Sequence, residues 1–136
     1  MTKARSLIAV VDDERSVRVA LQRLIRSSGM DVEIYPSGDQ FLKAVETRPF
    51  ACVVLNLHMP KMNGYEVLSR LAQLWTRIPA LVMTGHDTPD ARGRALSTGA
   101  VAFLTKPIDE RTLLDAIASA VAIDGTHTLS DLGVVS

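Results

Sequence analysis

The sequence has few aromatic residues, one cysteine, no excess charge and no long apolar run. Aromatics make up 4% of the 136 residues and hydrophobic residues 47%, so any core is mainly aliphatic. The formal net charge is +0, which gives no electrostatic reason to bind nucleic acid or an anionic membrane. No apolar run approaches the roughly 18 residues of a membrane-spanning helix. We therefore expect no direct contact with nucleic acid or membrane.

The rare residues also restrict the chemistry. Cys52 lies inside an apolar run, which is typical of a small buried side chain in a reducing compartment. The polar segment before residue 7 is too short for a signal peptide, and we expect a cytoplasmic protein. The three histidines, His58, His86 and His127, are scattered and do not have the spacing of metal ligands.

Short apolar runs alternate with longer segments of helical period, which is typical of parallel βα units. The predicted strands cover residues 7–11, 31–35, 51–56, 79–84 and 101–105. The predicted helices cover residues 14–28, 38–47, 64–75, 89–98 and 110–123. Helix starts are marked by Ser37 and Asn63, each in a capping-box pattern, by Thr88 before a proline, and by Asp109.

Five such units with strands too apolar to face water predict a parallel sheet covered by helices on both faces. Right-handed crossovers leave few topologies. We predict an α/β, flavodoxin-like (βα)5 doubly wound fold with strand order 2-1-3-4-5. Residues 1–123 form one domain in this interpretation. Residues 124–136 lose the helical pattern and are predicted to be a C-terminal tail or the start of a linker.

Polar residues stand where four of these strands end. Asp12 and Asp13 follow the first strand, Asn56 ends the third, Thr84 ends the fourth and Lys106 follows the fifth. Ligands of open parallel sheets bind beyond the carboxyl ends of the strands, close to the point where the strand order reverses. We therefore expect these five side chains to gather in one pocket.

This constellation resembles the receiver domain of bacterial two-component response regulators. Met59, Pro60 and Gly64 follow Asn56 at receiver-like spacing, and the resemblance covers about residues 6–123. In that family an aspartate at the position of Asn56 accepts a phosphoryl group. The resemblance thus implies a signalling module rather than an enzyme, with its phosphoaccepting aspartate replaced by the amide.

The resemblance also implies roles for the other site residues. Asp13, the residue at position 56 and the backbone carbonyl of His58 would bind Mg²⁺ directly, and Asp12 would act mainly through water. Lys106 would pair with the phosphoryl oxygens and Thr84 would hydrogen-bond one of them. Phe103 would be the aromatic residue that turns inward with Thr84 when the domain switches, and the Lys106–Pro107 peptide would be cis.

The implied partners are a sensor histidine kinase or a phosphotransfer protein, and an effector domain or protein. The effector would be reached through the face formed by the fourth helix, fifth strand and fifth helix. Two origins of Asn56 stay open: a natural receiver that signals without phosphate, or an engineered block of a conventional receiver.

Plainer interpretations exist for several residues. Asp12 and Asp13 could merely cap the first helix, although capping needs only one of them, and Phe103 could be an ordinary core residue. Arg92 and Arg94 are interpreted as a solvated helix face, with partner docking as the alternative. A flavin-binding protein or small hydrolase is disfavoured, because the acidic turn after the first strand repels phosphate and no Gly-x-Ser-x-Gly segment is present.

Asparagine has nearly the shape of aspartate, but its amide is not a nucleophile for phosphoryl transfer. We therefore predict that Asn56 accepts no phosphoryl group. Removing one of three clustered negative charges should also stabilise the metal-free domain and weaken Mg²⁺ binding.

Overall fold

The computed structural model describes residues 5–74 and 77–126. The strands are β1 (Leu7–Val11), β2 (Asp31–Tyr35), β3 (Cys52–Asn56), β4 (Ala80–Thr84) and β5 (Ala102–Thr105). The helices are α1 (Arg15–Ser27), α2 (Gly38–Val45), α3 (Gly64–Gln73), α4 (Pro89–Ser97) and α5 (Glu110–Thr126). All five strands are parallel in the order β2-β1-β3-β4-β5, which confirms the predicted fold.

Both faces of the sheet are buried, and this explains the unbroken apolar runs of the strands. Alternate residues such as Val11, Val53 and Leu55 pack on one face with Phe41 of α2 and Val67 of α3. Their neighbours pack on the opposite face against side chains of α1 and α5, namely Ile25, Leu113 and Ile117. The pleat therefore divides each strand between two aliphatic core layers.

The predicted helix caps differ in how fully they form. Asn63 and Glu66 make a complete capping box at the start of α3, and Thr88 accepts a hydrogen bond from the backbone N–H of Ala91. At α2, Ser37 accepts from Gln40, so the structure shows the serine half of the predicted box. These caps fix the chain direction where it leaves the sheet and enters a helix.

The end of α5 is the largest boundary difference. The helix continues to Thr126, three residues beyond the predicted end at residue 123. The sequence Asp124-Gly125 looks like a stop signal, but a single glycine costs a helix only about 1 kcal/mol relative to alanine. The remainder of the predicted tail, and the predicted end of α3 at residue 75, lie outside the described residues. The tail therefore stays a prediction.

Candidate functional site at the carboxyl ends of the strands

The carboxyl ends of β1, β3, β4 and β5 meet at one edge of the sheet because the four strands are parallel and adjacent. Asn56 pairs in register with Met83, and Thr84 pairs with Thr105. The backbone N–H of Lys106 donates to the carbonyl oxygen of Thr84 over 2.7 Å. The last residue of each of these strands and the residues just after it therefore lie along one edge of the sheet.

Asp12 is the most enclosed charged side chain of the site, with no exposed surface. One carboxylate oxygen accepts from the backbone N–H of Glu14 over 2.9 Å, and the other pairs with the Lys106 ammonium over 3.3 Å. Arg18 of α1 donates to the backbone carbonyl of Asp12 over 2.8 Å. The carboxylate is buried, but both of its oxygens have partners.

The pKa of Asp12 reflects two opposing influences. Burial raises the pKa of this carboxyl above its ordinary value of 3.8, and this effect exceeds all others. The hydrogen bond from Glu14 and the nearby Lys106 ammonium act in the lowering direction. The site therefore holds a carboxylate whose charge is only partly compensated by its lysine.

Asn56 joins the β1 and β3 ends through its amide nitrogen. Nδ2 donates to Oδ1 of Asp13 over 3.2 Å and to the carbonyl oxygen of His58 over 2.9 Å. The Asn56 side chain is buried, and that of Asp13 is exposed. By resemblance, the Asp13 carboxylate and the His58 carbonyl oxygen would bind a cation. Here both accept hydrogen bonds from the Asn56 amide.

In this arrangement the Asn56 amide competes with a Mg²⁺ ion for the same two oxygens. A cation needs oxygen lone pairs directed at it, whereas the amide presents hydrogens with partial positive charge. Within residues 5–74 and 77–126, no group of three or more His, Cys, Asp or Glu side chains could hold a metal ion. The partial positive charge on the Asn56 amide hydrogens therefore faces the oxygens that would otherwise face a cation.

Thr84 and Phe103 lie at the β4 and β5 side of the site. The Thr84 hydroxyl is fully buried and accepts from the backbone N–H of His86 over 3.0 Å. Phe103 is 8% exposed and belongs to the core layer under α4. The hydroxyl thus points into the β4–α4 loop, and the aromatic ring faces the core.

The structure brings together contacts that sequence reasoning missed. The His58 and His86 rings lie 5.4 Å apart between centroids, although 28 positions separate them in the sequence. The signal that would have identified this proximity is that each histidine stands two residues after the end of one of two adjacent parallel strands, β3 and β4. Arg18 lies near the start of the helix that follows the acidic pair. This closeness in sequence could have identified its contact with Asp12.

Arg92 and Arg94 do not form a purely solvated face. The Arg92 guanidinium lies 4.8 Å from the Phe103 ring centroid and pairs with Asp87 over 3.0 Å. Arg94 lies 3.9 Å from the Tyr65 ring centroid. Both residues are exposed, as expected for a solvated helix face, and each guanidinium in addition stacks on an aromatic ring while its edge stays in water.

Two further features of the site agree with the sequence interpretation. The Lys106–Pro107 peptide bond is cis. Gly64 has no room for a side chain, because an added Cβ would lie 2.9 Å from Leu57 Cα and 3.0 Å from the Asn56 carbonyl oxygen. The start of α3 can therefore lie directly against the end of β3.

The alternative role of the acidic pair, capping α1, is not seen in the first turn of that helix. Glu14 precedes the helix without a side-chain cap, and Asp12 accepts from Glu14 rather than from a helical N–H. Asp13 is engaged by Asn56 instead. The acidic pair is thus directed across the sheet edge, toward β3 and Lys106.

These observations define a flavodoxin-like α/β domain with a polar site at the carboxyl ends of its strands. The sequence profile of the response regulator receiver domain matches residues 8–118, and the chain belongs to that family. It is therefore a receiver domain of the two-component response regulator type. Such domains generally bind Mg²⁺ at an acidic pocket, and response regulators interact with sensor kinases or other phosphodonors and with effector domains.

The response regulator protein TodT of Pseudomonas putida is 37% identical over 123 residues, covering 90% of this chain and 54% of TodT. The transcriptional regulatory protein FixJ of Bradyrhizobium diazoefficiens is 36% identical over 114 residues, covering 84% of this chain and 56% of FixJ. The chain thus spans about half the length of these curated relatives.

Among solved structures, FixJ-N superposes with a TM-score of 0.80 at 33% identity, covering 88% of this chain and 95% of that one. The chemotaxis protein CheY4 of Vibrio cholerae gives a TM-score of 0.80 at 25% identity, covering 86% and 99% of the two chains. Among the described residues, no helix has both the length and the apolar character to cross a membrane.

Proposed function

We propose that this chain is a two-component receiver domain that is not phosphorylated at position 56, because Asn56 stands where the family's acceptor aspartate stands. One observation carries the proposal: the Asn56 amide nitrogen donates to both Asp13 and the His58 carbonyl. An amide in that position offers no carboxylate oxygen to attack phosphorus. It also satisfies the oxygens that a metal would otherwise bind.

The remaining site residues keep positions suited to an acceptor site. Lys106 reaches the site from β5, where it pairs with Asp12, and Thr84 ends β4 beside it. We infer that Asp12, Asp13 and the His58 carbonyl are the remaining metal ligands, with affinity for Mg²⁺ weakened by Asn56. We infer that Thr84 and Phe103 are the switch residues of the fold.

The proposed partners are a sensor histidine kinase or phosphotransfer protein and an effector domain or protein. The effector would contact the face of α4, β5 and α5, where Leu96 and Val101 are 46% and 48% exposed. We propose no direct contact with nucleic acid or membrane, a cytoplasmic location, and no enzymatic activity of the domain itself.

The test is intact mass spectrometry after incubation with Mg²⁺ and a small phosphodonor such as acetyl phosphate. The expected result is no added phosphoryl group on the chain as it stands, and one on the Asn56→Asp variant. Lys106→Ala in the Asn56→Asp background is the matched control, and it should lower the yield. A phosphoryl group mapped to Asn56 itself would overturn the proposal.

A second candidate function is a natural, phosphate-independent interaction module on the same fold. The observation favouring it is that the site is closed by its own contacts, Asn56 with Asp13 and Lys106 with Asp12. Effector binding of equal strength with and without phosphodonor, in the Asn56→Asp variant as well, would support this module. Binding that strengthens on phosphorylation of Asn56→Asp would favour a blocked conventional receiver.

A further inference from the structure

The strongest unexplained feature outside the acidic site is the pair of histidines at its rim. His58 lies in the β3–α3 loop and His86 in the β4–α4 loop, and both side chains are exposed. Their ring centroids are 5.4 Å apart at an interplanar angle of 74°. Among the hydrogen bonds of the described residues, none involves either imidazole, so both rings have ligand nitrogens to offer.

The centroid separation is that of two imidazoles on one metal ion when one nitrogen of each ring turns toward the ion. With metal–nitrogen distances of about 2.0–2.1 Å and a tetrahedral angle, two ring centres lie roughly 5 Å apart. Imidazole nitrogen suits Zn²⁺, Ni²⁺ and Cu²⁺, whereas Mg²⁺ prefers oxygen. The pair therefore selects a different class of cation from the one bound by acidic receiver pockets.

The backbone of each histidine is held by a residue of the acidic site. The Asn56 amide donates to the His58 carbonyl over 2.9 Å, and the Thr84 hydroxyl accepts from the His86 N–H over 3.0 Å. Leu57, next to His58, donates its N–H to the Met83 carbonyl over 2.8 Å, which links the two strand ends directly. Both loops are thus held by hydrogen bonds near their first residues. Metal binding should therefore cost little further loop entropy.

We propose that His58 and His86 form a binding site for a divalent transition metal, represented by Zn²⁺, with water completing the coordination shell. The bound ion would tie the β3–α3 loop to the β4–α4 loop at the carboxyl edge of the sheet. This inference does not depend on whether Asn56 is phosphorylated, because it uses only the two imidazole side chains.

The test is calorimetric titration of the chain, free of any affinity tag, with Zn²⁺ in a non-chelating buffer. One Zn²⁺ should bind per chain, and His58→Ala and His86→Ala should each weaken binding by at least about tenfold. His127→Ala is the matched control, since it removes the remaining histidine outside the described residues, and it should leave the affinity unchanged. All three substitutions keep the backbone groups that Asn56 and Thr84 contact.

A Mg²⁺ arm separates this site from the acidic one. Millimolar Mg²⁺ should not displace the Zn²⁺, because the imidazoles offer Mg²⁺ no oxygen. A rise in melting temperature with Zn²⁺ should vanish in His58→Ala and persist in His127→Ala. The proposal is wrong if His58→Ala and His86→Ala bind Zn²⁺ as the parent does, if His127→Ala alone abolishes binding, or if Mg²⁺ competes.

Discussion

At the scale of the residue, Asn56 replaces a negative charge with a donor that satisfies its neighbours. In the Asn56→Asp variant, three carboxylates would meet where two hydrogen bonds now lie. At an effective dielectric of 20, two unit charges about 4 Å apart repel by roughly 4 kcal/mol, which is an upper limit for each close pair. The amide therefore stabilises the metal-free fold.

We expect Asn56→Asp to lower the metal-free stability by roughly 1–3 kcal/mol, since it adds repulsion and removes two hydrogen bonds. It should also gain more melting temperature on adding Mg²⁺ than the parent chain does. Thermal unfolding with and without Mg²⁺ measures both effects, and Asn56→Ala controls for loss of the amide alone. A larger Mg²⁺ gain in the parent chain would contradict this prediction.

The buried carboxyl of Asp12 should make the free energy of unfolding depend on pH. Because burial raises its folded-state pKa above 3.8, the folded chain binds this proton more tightly than the unfolded chain. The contribution of Asp12 to the free energy of unfolding is therefore highest below 3.8 and falls as pH rises from there through the raised pKa. Asp12→Asn has no such titration.

We expect the difference in unfolding free energy, parent minus Asp12→Asn, to decrease as pH increases from about 4 to 7. Urea unfolding at several pH values measures this difference, and comparing two variants removes the titration of the other carboxylates. Asp109→Asn serves as a control of opposite sign below pH 3.8, because hydrogen bonds from Thr112 lower the pKa of Asp109 and its contribution is lost as pH falls through that lowered pKa. A parent-minus-Asp12→Asn difference that grows with pH would refute the assignment.

At the scale of the element, α4 is the helix least secured by apolar burial. Ala95 is its only fully buried residue, and Gly93 lies in its interior. Its position depends on Arg92 stacked on Phe103 of β5 and on Arg94 stacked on Tyr65 of α3. The α4 helix is therefore held against β5 and α3 by contacts of partly exposed side chains.

We expect Arg92→Ala and Arg94→Ala each to cost about 0.5–1 kcal/mol, the range for cation–π contacts at exposed sites. Hydrogen exchange of the α4 amides should accelerate in both variants, because the lost contacts hold that helix in place. Arg23→Ala on the exposed side of α1 is the matched control and should change neither quantity. Unchanged α4 exchange in both variants would show that the ring contacts do not secure the helix.

Two glycines of this region make a matched pair. A Cβ at Gly93 or at Gly99 would meet no atom within 4 Å, but Gly99 has a φ of +114°. Gly93→Ala should stabilise the domain by about 0.5–1 kcal/mol through helix propensity. Gly99→Ala should destabilise it, since an L-residue is strained at that φ. Urea unfolding measures the free energy of unfolding of both variants. Equal changes in the two variants would contradict the predicted difference between these glycines.

At the scale of the whole molecule, two core layers cover the faces of the sheet, while its carboxyl edge carries the polar site. The layers meet α2, α3 and α4 on one side and α1 and α5 on the other. The site can therefore change its charge without repacking the core. Only the loops at the edge and the α4–β5 face are free to respond.

We expect a small phosphodonor, added to the parent chain already in Mg²⁺, to leave its backbone amide NMR spectrum unchanged. In Asn56→Asp the same addition should shift resonances of the β4–α4 loop, α4 and β5, because only a carboxylate takes up the phosphoryl group. Lys106→Ala in the Asn56→Asp background is the control. Shifts of equal size in the parent chain would show a phosphate response without the acceptor.

Local patterns along the chain specified most of the fold. Apolar runs of strand length between segments of helical period specified five βα units, and the caps at Asn63 and Thr88 located helix starts. These features are local, so their signals are read within a few residues. The convergence of Asp12, Asn56 and Lys106 also followed, because parallel strands must end at the same edge.

Only the tertiary structure decided which atoms meet. That Asn56 presents its nitrogen to Asp13 and His58, that His58 lies beside His86, and that Arg92 covers Phe103 depend on contacts between separate elements. Such contacts carry no periodic pattern, since each is fixed by loop paths and side-chain rotamers rather than by chain spacing. Local sequence patterns therefore specified the fold, whereas packing between elements fixed the contacts of the site.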